Sequence, residues 1–274
     1  MIFFICSIKL PRCLSCDKTY WQQLMAFFIK DYMVFSFKGV GVYYRVINEG
    51  ASRPLVVLHG WGRSGEDFDE FVSFYENRTI VLIDFPPFGK SGSNLKDWNI
   101  YTYVSMLISL CEHLKIDNAD FLGHSFGGRI AIILSCVKCS LVHSCILVGS
   151  AGLKPKRSIK YRLNLAFFKL GKRLHMPVKG KASRDYKALS PEMKKTFKSI
   201  VNTHLNSYAK HMKVCTLIVW GREDKETPIY MAKRLNRYIK NSRLEIIENG
   251  GHFCFLDCPL EFFSIVYQFL KEEK

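Results

Sequence analysis

The 274-residue sequence has no apolar run long enough to cross a membrane, which would need about 18–20 such residues. Its opening residues, MIFFICSIKL, are apolar but lack the basic start of a secretory leader, and PRCLSCDKTY after them is a poor cleavage site. It also shows no internal repeat and no low-complexity linker. We interpret residues 1–32 as a loosely ordered N-terminal extension, because a much more regular pattern begins at Met33.

The ten cysteines do not form a recognisable disulfide framework. Four of them fall inside apolar helix or strand patterns, where a free cysteine packs as a small hydrophobic residue. These four are Cys111, Cys136, Cys145 and Cys215. Two C-x-x-C pairs, Cys13/Cys16 and Cys136/Cys139, have no histidine close by to complete a zinc site. The pattern therefore predicts a reduced, cytoplasmic protein without a metal site.

Acidic residues are scarce in one segment of the chain. Residues 151–213 contain 17 Lys and Arg against two acids, Asp185 and Glu192, whereas the remainder has 23 basic and 22 acidic residues. This asymmetry indicates an inserted module with its own surface role. Three interpretations remain open: a merely solvated surface, attraction of acidic substrates, or weak contact with an anionic surface. No nucleic-acid-binding module accompanies the charge, so we expect no nucleic-acid partner.

Short β-rich runs alternate with helical patterns from Met33 onward, which predicts an α/β fold with a mostly parallel central sheet flanked by helices. The predicted strands are 34–37, 40–47, 54–60, 78–85, 119–123, 144–150, 216–221 and 243–249. The predicted helices are 101–116, 129–137, 228–240 and 259–273, with two more, 159–174 and 190–212, inside the basic segment.

Residues suited to chemistry follow four of these strands, where the ends of parallel strands form a binding edge. HGWGRSG follows residues 54–58, and GHSFGG follows residues 119–122. GREDKETP and NGGHFCF come after the strands that begin at Thr216 and Arg243. A serine between glycines, an acid and a histidine at neighbouring strand ends favour nucleophilic catalysis.

With these motifs in the order serine, acid, histidine, the chain resembles the α/β-hydrolase family from Met33 to Lys274. The resemblance identifies GHSFG at 123–127 as a nucleophile elbow and implies a triad of Ser125, Asp224 and His252. Glu223 is a competing acid one residue earlier, but the family's position falls on Asp224.

The resemblance also assigns the surroundings of the triad. It implies an oxyanion hole formed by the backbone N–H groups of Trp61 and Phe126. The substrate-pocket candidates are His59, Gly60, His124, Phe167 and Phe168. One departure from the family is Pro87, which stands where many relatives have glycine and should stiffen the loop after the fourth strand. Asp84 in that loop suits a structural role as well as substrate binding.

The family inserts a helical cap between the sixth and seventh strands, where this chain has residues 151–213. We therefore predict an α/β-hydrolase core over 33–150 and 214–274, interrupted by a basic helical cap. The expected activity is that of a serine hydrolase acting on a carboxylic ester or related acyl compound, with no cofactor. Hydrolysis of a C–C bond, an amide or a peptide by the same triad remains an alternative, as does a slow-turnover ligand receptor.

Overall fold

A computed structural model describes residues 32–51, 53–155 and 189–273 and contains an eight-stranded sheet in the order β1-β2-β4-β3-β5-β6-β7-β8. The first two pairings are antiparallel and the rest are parallel, so the predicted mostly parallel sheet is confirmed. The strands are β1 Met33–Phe37, β2 Val40–Ile47, β3 Leu55–Leu58, β4 Ile80–Ile83, β5 Ala119–His124, β6 Val142–Val148, β7 Cys215–Gly221 and β8 Ser242–Ile247.

Helices cover both faces of this sheet, and each face has its own group of buried apolar side chains. No helix of the described chain is long and apolar enough to cross a membrane. The helices are α1 Asp69–Ser73, α2 Ile100–His113, α3 Phe126–Val137, α4 Pro191–Asn202, α5 Asn206–His211, α6 Tyr230–Tyr238, α7 Cys254–Asp257 and α8 Pro259–Glu272. A short 3₁₀ helix, Gly65–Phe68, precedes α1.

The central strands have the sequence expected of strands that are covered on both faces. Every residue of β3, β4 and β5 is buried, and the continuous apolar runs of β3 and β4 reflect this double burial, whereas β5 also buries Asp120 and His124. The hairpin predicted around Gly39 is also present: Lys38 and Gly39 both have positive φ, as a two-residue turn of this twist requires. Because β3 to β8 all pair in parallel, their carboxyl ends lie at one edge of the sheet.

One helix was predicted wrongly. The pattern over 190–212 predicts a single helix, but the structure contains two, α4 and α5, separated by residues 203–205. The buried Arg129 Nη1 donates to the carbonyl oxygens of Ile200 at 2.8 Å and Thr203 at 2.9 Å. The N–H of Leu205 then bonds to the Gly152 carbonyl at 2.9 Å, which draws the chain out of the helix.

The start of α4 agrees with its prediction, since the hydroxyl of Ser190 accepts a hydrogen bond from the Met193 N–H at 3.2 Å and Glu192 lies in the first turn. The helix predicted over 159–174, with the pocket candidates Phe167 and Phe168, lies outside the described residues. The division of the chain into a core and a cap stays a prediction.

Close packing at the start of α3 generates a testable stability difference. A Cβ on Gly127 would lie 2.1 Å from the Leu58 carbonyl oxygen, a backbone atom that cannot rotate away. We expect Gly127→Ala to lower the free energy of unfolding by about 3 kcal/mol, measured by urea unfolding.

The control for this substitution is Gly41→Ala in β2, where the nearest atom to the new Cβ is a side-chain carbon of Val34 at 3.3 Å. This control should change the free energy of unfolding by less than about 1 kcal/mol. Equal stability of the two variants would show that β3 and α3 do not pack as closely as described.

Candidate active site

Ser125 occupies a strained turn between β5 and α3. Its φ of 49° and ψ of −100° are unusual for a residue with a side chain and cost about 1–3 kcal/mol. The surrounding backbone holds this conformation, because the Ser125 N–H donates to the Val148 carbonyl at 2.9 Å and the Ser125 carbonyl accepts from Ala151 at 3.1 Å. Such a turn lifts the side chain out of the sheet edge.

The loop after β3 is joined directly to this turn. The Gly127 N–H donates to the His59 carbonyl at 3.1 Å. A Cβ on Gly60 would lie 3.6 Å from the Cβ of Ser125, so only a small residue fits between the two segments. The sequence HGW at 59–61 and Ser125 therefore meet at one place, as the sequence predicts.

His59 has a fully buried side chain that fixes the loop. Its Nε2 accepts from the Phe85 N–H at 2.7 Å, and its Nδ1 lies 2.7 Å from the Gly60 carbonyl oxygen. Nδ1 therefore carries the proton, since a carbonyl can only accept. Burial, the largest influence, lowers the pKa of His59 and keeps the ring neutral.

Aromatic side chains surround the two predicted oxyanion-hole positions. The ring of Trp61 lies 4.8 Å from that of Phe88, 5.4 Å from Phe126 and 5.2 Å from Phe197 on α4, measured between centroids. Phe126 is the first residue of α3, where a backbone N–H has no partner within its own helix. The structure thus brings Trp61 and Phe126 together beside Ser125.

His252 and Asp224 form a buried pair at the ends of β8 and β7. His252 Nδ1 lies 2.8 Å from Asp224 Oδ2, and both residues are buried. The competing acid Glu223 is exposed, whereas Asp224 is buried against His252. The other ring nitrogen, Nε2, lies 3.3 Å from the exposed carboxylate of Glu226.

Thr227 holds the carboxylate of Asp224, a contact that the sequence analysis missed. Its hydroxyl donates to Asp224 Oδ2 at 2.7 Å, and its N–H donates to Asp224 Oδ1 at 2.7 Å. Burial raises the pKa of Asp224, but the hydrogen bonds from His252 and Thr227 outweigh burial and lower that pKa overall. The available signal was the D-x-x-T spacing, which suits a turn closed by an aspartate side chain.

Two further predicted positions have clear structural contacts. Asp84 accepts the Gly65 N–H on Oδ1 at 2.8 Å and the Lys90 N–H on Oδ2 at 2.9 Å, so its carboxylate ties two loops together. His124 is buried, and its Nε2 lies 2.9 Å from the carbonyl oxygen of His252. Among the described residues, no group of His, Cys, Asp or Glu is arranged to hold a metal ion.

Comparison with known proteins is consistent with this geometry. Residues 53–171 match the family model of the alpha/beta hydrolase fold. The chain is 27% identical to the uncharacterized hydrolase YugF of Bacillus subtilis, covering 86% of this chain and 97% of that protein. It is 28% identical to a proline iminopeptidase of Lactobacillus crispatus, covering 86% and 96%.

Among solved structures, a meta-cleavage product hydrolase from Pseudomonas fluorescens IP01 superposes with a TM-score of 0.68 at 21% identity, covering 90% of this chain and 99% of that one. The chain has the alpha/beta-hydrolase fold. In this fold, the predicted nucleophile, acid and histidine lie at the ends of β5, β7 and β8.

The hydrogen bond from Thr227 predicts a pH-dependent loss of stability in Thr227→Val. A carboxyl whose pKa is lowered by folding stabilises the protein above its unfolded pKa, and this stabilisation disappears as the pH falls through its folded pKa. Removing the hydroxyl should raise the pKa of Asp224 and lower the free energy of unfolding by about 1–3 kcal/mol at pH 7.

Urea unfolding measured from pH 7 to pH 3 tests this prediction, with Thr227→Ser as the control that retains the hydroxyl. The difference between Thr227→Val and the wild type should narrow as the pH falls, because Asp224 becomes protonated in both proteins. A difference that stays constant over this range would contradict the assigned role of Thr227.

Proposed function

We propose that the protein is a serine hydrolase that cleaves a carboxylic ester or related acyl compound through an acyl-enzyme intermediate. The observation that carries the proposal is the strained Ser125 turn at the end of β5, beside the buried His252–Asp224 pair. A serine with a purely structural role would not need the strained φ of 49° that Ser125 adopts.

In the proposed reaction, Ser125 Oγ bonds to the substrate's carbonyl carbon while its proton passes to His252 Nε2. The bond to the leaving group then breaks, and His252 returns the proton to that group. Water attacks the resulting Ser125 ester, gives a proton to His252, and releases the acid as Ser125 recovers its hydrogen. Asp224 fixes the Nδ1–H tautomer and stabilises the cationic ring. Glu226 is exposed, so a leaving group can displace its carboxylate from Nε2.

The N–H groups of Trp61 and Phe126 would stabilise the negative oxygen of the tetrahedral intermediate. The aromatic rings around Trp61 favour an apolar acyl group, because rings offer apolar surface and no charge partner. None of these steps needs a metal or an organic cofactor.

In two alternatives the same triad cleaves a different bond of the substrate. The relatives include a proline iminopeptidase and a meta-cleavage product hydrolase, which makes amide and C–C substrates the next candidates. The third alternative is a slow-turnover ligand receptor. A cytoplasmic location also stays a proposal, supported by the seven free cysteines among the described residues.

A fluorophosphonate probe and a panel of p-nitrophenyl esters test the proposed nucleophile. Ser125→Ala should abolish labelling and lower kcat/KM by about 10⁴-fold or more, because the remaining groups cannot form the acyl-enzyme. The matched control is Ser93→Ala, an exposed serine outside the site, which should keep wild-type kcat/KM.

The substrate panel separates the alternatives. Hydrolysis of esters that survives Ser125→Ala would exclude Ser125 as the nucleophile. Turnover of a proline amide or a diketone with little ester activity would move the assignment to the corresponding alternative. Tight binding of an ester with negligible turnover would favour the receptor.

We further propose that α5, at the end of the basic segment 151–213, forms a basic surface with the neighbouring α6, and that this surface makes weak contact with an anionic lipid surface. Lys210 on α5 and Arg234 and Arg237 on α6 lie 5.2, 5.6 and 5.8 Å from the centre of the Tyr238 ring. Neither α5 nor α6 contains an acidic residue. Like charges held this close together suit an anionic partner that neutralises them.

Cosedimentation with vesicles of phosphatidylglycerol or phosphatidylcholine at low salt tests this contact. Lys210→Gln with Arg237→Gln should weaken binding to phosphatidylglycerol by about tenfold or more, and added salt should do the same. Arg234 is not substituted, because its side chain donates a hydrogen bond to the Lys154 carbonyl at 2.7 Å and its loss could change the structure. The charge-matched control, Lys38→Gln with Lys96→Gln, should bind as the wild type does.

Equal binding to both lipids, or no effect of the α5–α6 substitutions, would contradict the lipid contact. Stronger binding to a nucleic-acid polyanion than to vesicles would replace the lipid by that partner, against the expectation from the sequence.

A further inference from the structure

His124 connects the loop that carries His252 to the strand that ends at Ser125. It is the last residue of β5 and is only 1% exposed. Its Nε2 lies 2.9 Å from the backbone carbonyl oxygen of His252. Because a carbonyl oxygen can only accept, Nε2 carries the ring proton and donates it to the His252 backbone.

The opposite side of the His124 ring faces the loop after β3. A Cβ on Gly60 would lie 2.8 Å from His124 Nδ1 and 3.2 Å from its Cε1. The ring therefore fills the space between three segments: the Ser125 turn, the predicted oxyanion loop at Gly60 and the loop of His252.

His124 is neutral in this position. Burial, followed by the neighbouring His252, lowers the pKa of His124 to about 3. With Nε2 protonated, Nδ1 has a free lone pair, and this buried nitrogen has no hydrogen-bond partner among the described residues. An apolar side chain could fill the same space without leaving a nitrogen unpaired, so packing alone does not account for a histidine.

Neutrality matters because the rings of His124 and His252 lie 4.8 Å apart between centroids. In the proposed reaction His252 becomes a cation after it takes the proton of Ser125. A lysine or arginine in place of His124 would oppose that charge. A neutral imidazole can hold the His252 backbone without raising the energy of the cation.

We propose that His124 is a positioning residue, which fixes His252 relative to Ser125 through its Nε2–H bond to the His252 carbonyl. This inference rests on the proposed function, since it concerns the geometry of proton transfer between these two residues. In this role the ring of His124, which is only 1% exposed, acts through the His252 backbone and takes no part in the proton transfer. Its effect is on the rate of the chemical step, because a displacement of about 1 Å can cost 10²-fold in rate.

The test compares His124→Met, which fills the space without a donor, with His124→Gln, whose amide nitrogen can occupy the place of Nε2. His124→Met should lower kcat on a p-nitrophenyl ester by about 10- to 100-fold with KM within about twofold. His124→Gln should restore kcat to within about fivefold of the wild type. The rate of fluorophosphonate labelling should follow kcat in both variants.

Thermal unfolding of each variant separates positioning from folding. If His124→Met does not fold, His124→Asn replaces it, because its shorter amide cannot reach the His252 carbonyl from the same backbone, and the same loss is expected. Equal loss in the Gln variant and the donor-free variant, or wild-type kcat without the donor, would overturn the positioning role. A wild-type protein without labelling or turnover would instead overturn the proposed function, and this inference with it.

Discussion

The tight turn at Ser125 is the constraint on which the rest of the site depends. Its positive φ is held in place because β5 lies between β3 and β6, with no freedom to relax. A Cβ on Gly123 would lie 2.7 Å from the backbone carbon of Gly127, so the strand and the helix approach as closely as two backbones can. The favourable packing at the buried centre of the sheet thus offsets the conformational strain of Ser125.

The other half of the site is held by hydrogen bonds rather than by strain. Asp224 accepts from the backbone and hydroxyl of Thr227 and from the ring of His252, and the His252 carbonyl accepts from His124. Each donor favours the charged carboxylate or a single orientation of the ring. Side chains therefore link the ends of β7 and β8 to the end of β5: Asp224 bonds to His252, and His124 bonds to the His252 carbonyl.

The strands could be predicted because most of the buried parallel strands are apolar runs. Asp224 and His252 were chosen because the resemblance to the family places its acid and histidine after the corresponding strands, and the structure has both residues at these strand ends. The break between α4 and α5 at Thr203 could not be predicted from the sequence. The amphipathic pattern continues through Thr203, and the bond that accompanies the break comes from Arg129, 74 residues earlier in the chain. Thr227 was missed for a related reason: the D-x-x-T spacing indicates a turn closed by the Asp224 side chain, but it does not say which acceptor the Thr227 hydroxyl meets.

The contacts that end α4 also connect this helix to the candidate active site. Arg129 lies in α3, one turn after Ser125, and holds the end of α4. Phe197 on the same α4 packs on Trp61, whose N–H is the proposed oxyanion donor. A shift of α4 would therefore move Phe197 against the loop that carries Trp61. In the proposed reaction, substrate selection and transition-state stabilisation would share this contact, so substitutions that alter the proposed pocket should also alter the rate of the chemical step.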